Sequence, residues 1–148
     1  MTTDDVRRGL VLHLDPDILE REGAASNRHS QTRVRGLHWF VCLLVDRGDS
    51  IWTPLFSRPS SQRIEIPKAA KRGAFKWRSS TTYADPKQMW ACSTAHILLA
   101  AETTDRSMEQ CFQNVVDATA LGKQLNSAAI VMMRSYLWRQ DDSDERND

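Results

Sequence analysis

The chain has 148 residues, 41% hydrophobic and 26% charged, with a formal net charge of +1, the composition of an ordinary soluble domain large enough to bury a core. No apolar run approaches the roughly 20 residues of a membrane span, and acidic residues ahead of the first short apolar run argue against a secretory signal. The near-neutral total hides a basic middle, twelve Lys/Arg against four acids over residues 28–87, and an acidic end of net −4 over the last eight residues; this permits a polyanionic partner without requiring one.

Residues 9–15, GLVLHLD, form a short β-prone run that ends in the turn Asp15-Pro16. Residues 17–35 hold one helical turn and then a polar loop with Gly23, Ser26 and Asn27, the kind of segment that carries binding residues beside a rigid strand. A hairpin organises the centre: strands 38–46 and 50–57 around the turn Asp46-Arg47-Gly48-Asp49-Ser50. Its first strand is a continuous apolar run over 40–45, which requires cover on both faces. After a turn at 58–61, residues 62–67 alternate polar and apolar and make a half-exposed strand stopped by Pro67. Residues 68–75 are a basic loop, and the Ser/Thr-rich stretch that follows turns at Asp85-Pro86.

Residues 87–93 make a fifth strand, and 94–101 are either a short helix or the end of that strand. Next, Asp105 or Ser107 caps a helix with Met108, Cys111, Phe112, Val115 and Thr119 at helical spacing. Gly122 ends or weakens it, and residues 127–139 are helical with a stripe of Ile130, Met133 and Leu137. The last stretch, 141–148, is too charged to pack and is expected as an acidic disordered tail. The expected fold is therefore α+β, mainly β. A single domain spans 1–140, a small barrel or strongly bent sheet of about five strands followed by C-terminal helices.

No phosphate-binding Gly loop, dinucleotide fingerprint, HExxH, GxSxG or zinc spacing occurs. The four histidines (13, 29, 38, 96) lie far apart with few carboxylate neighbours, so neither a metal nor another cofactor is expected. Cys42, Cys92 and Cys111 form no cluster and read as reduced, buried thiols of a cytoplasmic protein. One constellation remains around the hairpin: His38, Ser57, Arg58, Arg63 and Ser80, with Arg33 and Arg35 from the polar loop. RNA cleavage without a metal needs a base for the 2′-hydroxyl, cations for the phosphate charge and an acid for the leaving oxygen. Histidine exchanges protons near neutral pH, and arginine forks onto two phosphate oxygens. Trp39, Trp52, Trp77, Tyr83 and Trp90 are aromatic enough to stack bases. A histidine hydrogen-bonded at a strand end, and aromatics in the core and rim of a small barrel, are the competing readings of the same residues.

The run GLVLHLDP at 9–16, the loop ending in GLHWFVCL at 36–43, TPLFS at 53–57, STTYADPKQMW at 80–90 and the C-terminal helix together resemble the MazF/PemK toxins of bacterial type II toxin–antitoxin systems. That family shares its barrel with the CcdB gyrase poison. The resemblance covers about residues 9–125. It implies a small SH3-like barrel, a metal-independent endoribonuclease acting on single-stranded RNA, and a cognate antitoxin whose peptide lies across the same groove. The chain departs from the family's pattern at three places. His38 stands at the loop arginine with no Arg-Pro following, Phe56 at the catalytic threonine with only Ser57 beside it, and Leu10 at the acid of the opening pair. The resemblance thus implies either a rearranged site, His38 with Arg35 or Arg63, or the fold without the cleavage, as a CcdB-like or accessory protein-binding module. The expected assignment is His38, Arg35, Ser57 and Arg63 in catalysis, with Arg33, Arg58, Lys76, Trp77, Arg78 and Ser80 on the RNA. Residues 132–138 read as a helix packed on the barrel or on a twin subunit, and a homodimer is expected.

Overall fold

The structure is a computed structural model that describes residues 2–104 and 114–147. Its strands are β1 Val11–Leu14, β2 Ala25–Ser26, β3 His38–Asp46, β4 Asp49–Phe56, β5 Ile64–Ile66, β6 Lys71–Arg72, β7 Thr82–Ala84, β8 Trp90–Ser93 and β9 Val115–Val116. The α-helices are α1 Pro16–Arg21, α2 Phe75–Ser79, α3 Thr94–Thr104 and α4 Gly122–Asn147. None of the helices among the described residues is long and apolar enough to cross a membrane.

The hairpin forms where the pattern places it. Asp46 pairs with Asp49 across a two-residue loop, and both loop residues, Arg47 and Gly48, have positive φ (51° and 88°). That is the twist-matched turn that two-residue hairpins favour. β4 then serves two neighbours. Its first half pairs with β8, from Asp49 opposite Ser93 to Trp52 opposite Trp90, and its end pairs with β7 at Leu55 and Phe56. The result is a seven-stranded, antiparallel sheet with the path β1-β3-β4-β7-β5 and a branch through β8 to β2. The expectation of about five strands closed into an SH3-like barrel is met in part. The antiparallel sheet and C-terminal helix are present, but among the described residues no pairing joins β1 to β5. The unexpected strands are two or three residues long, too short for any period to show.

The apolar run of β3 is covered on both faces, as its composition requires. Val41 and Leu43 pack with Ile51, Leu55, Trp77 and, from α4, Leu125. Phe40 and Cys42 pack with Trp52, Trp90 and, from α3, Ile97. Gly9 locks the sheet's entry. Its N–H donates to the Cys42 carbonyl at 2.8 Å and its carbonyl accepts from the Val116 N–H at 2.7 Å. With φ at +95°, a Cβ there would collide with the Val116 carbonyl oxygen, so only glycine fits.

The C-terminal region differs from expectation. Residues 105–113, which hold the expected cap and Met108, Cys111 and Phe112, lie outside the described residues. Val115 is not helical but pairs in β9 with Arg72, and Thr119 lies in a 3-10 turn. Gly122, at φ 78°, caps the end of the 3-10 turn Ala118–Leu121 and also begins α4, whose backbone runs to Asn147 through the stretch expected as a disordered tail; a helix already nucleated by packing extends at little cost. Its buried stripe is Leu125, Ala129, Met132, Met133 and Tyr136, while Ile130 of the expected stripe is 43% exposed.

Candidate functional site

His38 opens β3 and faces the end of β4. Its Nδ1 lies 3.1 Å from the Leu55 carbonyl oxygen. A carbonyl only accepts, so Nδ1 carries the proton, and Nε2 is the acceptor of the neutral ring. The ring meets Phe56 edge-on, centroids 5.5 Å apart, and the Arg63 guanidinium lies 3.7 Å above that same Phe56 ring. Arg63 Nη1 also donates to the Arg58 carbonyl at 2.9 Å, tying down the turn after β4. His38, Phe56, Ser57, Arg58 and Arg63 line a cleft of about 150 Å³. His38, Phe56 and Ser57 also line a second cavity of about 370 Å³, whose far wall includes His13, Lys76 and Ser80. Six of the ten expected residues therefore meet around His38: His38 itself, Ser57, Arg58, Arg63, Lys76 and Ser80. Ser80 is a wall rather than a proton donor, because its hydroxyl donates to the Lys76 carbonyl.

The opposite wall was not legible in the sequence. His13 opposes Trp39 in the β1–β3 register, which projects both side chains to one face. Their rings stack, 5.1 Å apart and 12° from parallel. Trp39 meets Trp77 edge-on at 5.0 Å, and the Lys71 ammonium sits 4.2 Å over the Trp77 ring. Lys71 comes from the stretch expected as an exposed basic loop, yet it is only 4% exposed. Its Nζ donates to the carbonyls of Trp77, at 3.2 Å, and Ser80. These lie at the C-terminal end of α2, where helix carbonyls lack partners and a cation is favoured. Burial, helped by Lys68 and opposed by Glu65, pushes the Lys71 amine down to about 8.

Four expected residues are placed elsewhere. Trp77 has no exposed surface, and its Nε1–H donates to the Val115 carbonyl at 3.4 Å; it braces the site and cannot stack a base. Arg33 is held by Glu20 at 2.9 Å and by the Arg28 carbonyl at 2.8 Å. With Arg35 it lines a separate cleft that also holds Asp17 and Glu20, a poor setting for phosphate. Arg78 donates to the Gly73 carbonyl at 2.9 Å and lines neither cleft at His38. The aromatic that α2 does expose is Phe75, 76% accessible beside Lys76. Cys42 and Cys92 are buried free thiols, and burial raises both to about 12, so neither supplies a thiolate nucleophile. Cys111 lies outside the described residues.

Compared with known proteins, the chain matches no family model, no curated protein and no solved structure.

Proposed function

We propose that this chain is a metal-independent endoribonuclease that cuts single-stranded RNA, the toxin of a type II toxin–antitoxin pair on an SH3-like barrel of the MazF/PemK kind. The observation that carries this reading is the junction at His38. One imidazole is shared by two clefts, with Lys76 in one and Arg58 and Arg63 in the other. Among the described residues, no Asp or Glu lines either. A backbone phosphate lying there meets cations from both sides. Nε2 of His38 takes the 2′-hydroxyl proton, because Nδ1 is committed to Leu55. Of the two arginines considered for a rearranged site, Arg63 is the partner and Arg35 is not. The cognate antitoxin neutralises the enzyme by laying an extended peptide across the same trough, and the working form is a cytoplasmic homodimer.

Purified protein should degrade mixed-sequence single-stranded RNA in the presence of EDTA. His38→Ala should lower the rate by about 10²–10⁴-fold. Intact RNA with the native protein, or full activity in His38→Ala, removes the reading. One observation favours the alternative, a protein-binding module: α4 leaves Val131 65% and Trp138 71% exposed, a surface suited to a protein partner. That alternative predicts no cleavage and a salt-resistant association, whereas contacts to phosphates weaken steeply as salt rises.

A further inference from the structure

Strand β7 runs buried, half-buried, buried over Thr82, Tyr83 and Ala84, so Thr82 and Ala84 share its inward face. Ala84 lies in the core with Ile66 and Trp77. Thr82, opposite Ile66 in the β5–β7 register, is only 3% exposed. An apolar side chain is the expected occupant of such a position, and valine has threonine's shape without its hydroxyl. Yet Thr82 Oγ1 is buried with no hydrogen-bond partner, an arrangement that weakens a fold unless something else bonds it. Arg28 Nε is the other such atom among the described residues, but of the two only Thr82 lines the cavity of about 370 Å³ beside His38.

That cavity and the smaller cleft share His38, Phe56 and Ser57 but offer different chemistry. The cleft, about 150 Å³, adds the guanidinium groups of Arg58 and Arg63 and suits a phosphate. The cavity is larger, at the lower end of the range for small-ligand pockets, and its walls include the apolar Leu37, Trp39 and Leu55. Nδ1 of His38 and the Ser80 hydroxyl are already bonded to main-chain carbonyls there; the Thr82 hydroxyl is not. A flat ring with apolar faces and a polar edge fits these walls, and an unpaired base of a single strand is such a ring. Resting on the RNA-cleavage reading, we propose that the cavity is a nucleobase pocket beside the scissile phosphate and that Thr82 reads the edge of the base. A hydroxyl both donates and accepts, so it meets either an amino or a carbonyl group of that edge. Turning about χ1 exchanges the hydroxyl with the methyl, and with no partner in the free protein it breaks no hydrogen bond in doing so. Leu37, 57% exposed, stands at the rim and covers the ring.

The experiment incubates native protein, Thr82→Val and Thr82→Ser with a pool of single-stranded oligoribonucleotides of randomised sequence in EDTA, and sequences the fragment ends. Native protein should favour one base at a fixed position next to the cut. Thr82→Val should lower that preference by at least about fivefold, the smallest effect of leaving a polar group unpaired, while cutting beside the other bases continues at the native rate. Thr82→Ser, which keeps the hydroxyl, should keep the preference. In denaturant Thr82→Val should unfold at the native midpoint or above it, since it removes a hydroxyl without a partner. A lower midpoint would place that hydroxyl in a bond within the fold and overturn the assignment. Full preference in Thr82→Val, an equal loss of cutting at every base, or native cutting with no base preference also overturns it, and each leaves the ribonuclease reading standing. A native protein that leaves the pool intact overturns both.

Discussion

His13 and His38 are each held by an aromatic contact backed by a cation, one series running through the interior and the other along the surface. The inner one goes from His13 through Trp39 and buried Trp77 to Lys71; the outer one goes from His38 through half-buried Phe56 to Arg63. The cations differ in what they are free to do. Lys71 is desolvated, and two helix-end carbonyls occupy it, so its charge works against its own burial. Arg63 spends one nitrogen on the Arg58 carbonyl and keeps the rest of its five-donor fork near water and the cleft. The inner series should therefore govern stability and the outer one ligand contact.

The largest effect expected from this contrast is at Trp77, whose ring joins β3, β6 and β9 in one core. Trp77→Ala should cost about 3–5 kcal/mol of unfolding free energy, the range for emptying a large aromatic site. Denaturant unfolding followed by circular dichroism measures it. A loss below about 1 kcal/mol would mean that the ring is not the keystone its burial indicates.

Lys71 gives the second effect, read through pH. In the unfolded chain the amine holds its proton up to about 10.5, in the folded chain only to about 8. Between those values the unfolded chain binds more protons, so stability rises with pH across the window. The burial penalty is fully present below the folded value and fades as pH approaches the unfolded one. At its full extent it is on the order of 3 kcal/mol. The stability of native protein minus that of Lys71→Met should therefore climb from pH 8 to 10.5. A flat difference would show that Lys71 titrates as a hydrated surface amine.

The outer series was legible in the sequence and the inner one was not, for a physical reason. His38, Ser57 and Arg58 lie at the ends of two hairpin strands, and hairpin geometry follows from local turn chemistry: a polar Gly-containing turn fixes which strand ends sit side by side. His13 reaches the trough through the β1–β3 register, with Leu14 opposite His38, a pairing between segments separated by α1 and β2 that no local pattern encodes. Trp77 and Phe75 show the same limit at short range. Both occur in FKWRS, and helix α2 turns one inward and the other out, a choice made by what packs against five residues too few to carry a readable stripe. Arg33 and Arg35 sit apart from the His38 clefts for a related reason. Charge alone placed them with phosphate, but the fold sets them beside the acids of α1.

The smallest stability effect, and the sharpest separation of the two series, belongs to Arg63. Its cation–π contact with a half-exposed ring contributes about 0.5–1 kcal/mol, so Arg63→Ala should unfold within that margin of the native protein. Its effect on RNA should be of another kind. Removing one cation that neutralises a phosphate lowers the slope of log affinity against log salt by about one. Fluorescence anisotropy of a labelled mixed-sequence single strand, titrated across salt concentrations, should show that drop for Arg63→Ala. Lys71→Met should leave the slope unchanged, since its ammonium faces protein carbonyls rather than the cleft. Equal slopes for native protein and Arg63→Ala would take the guanidinium off the phosphate path and leave Lys76 and Arg58 to hold the strand. A lowered slope in Lys71→Met would mean the inner cation is felt through the trough wall, and the division between a structural and a ligand-facing series would not hold.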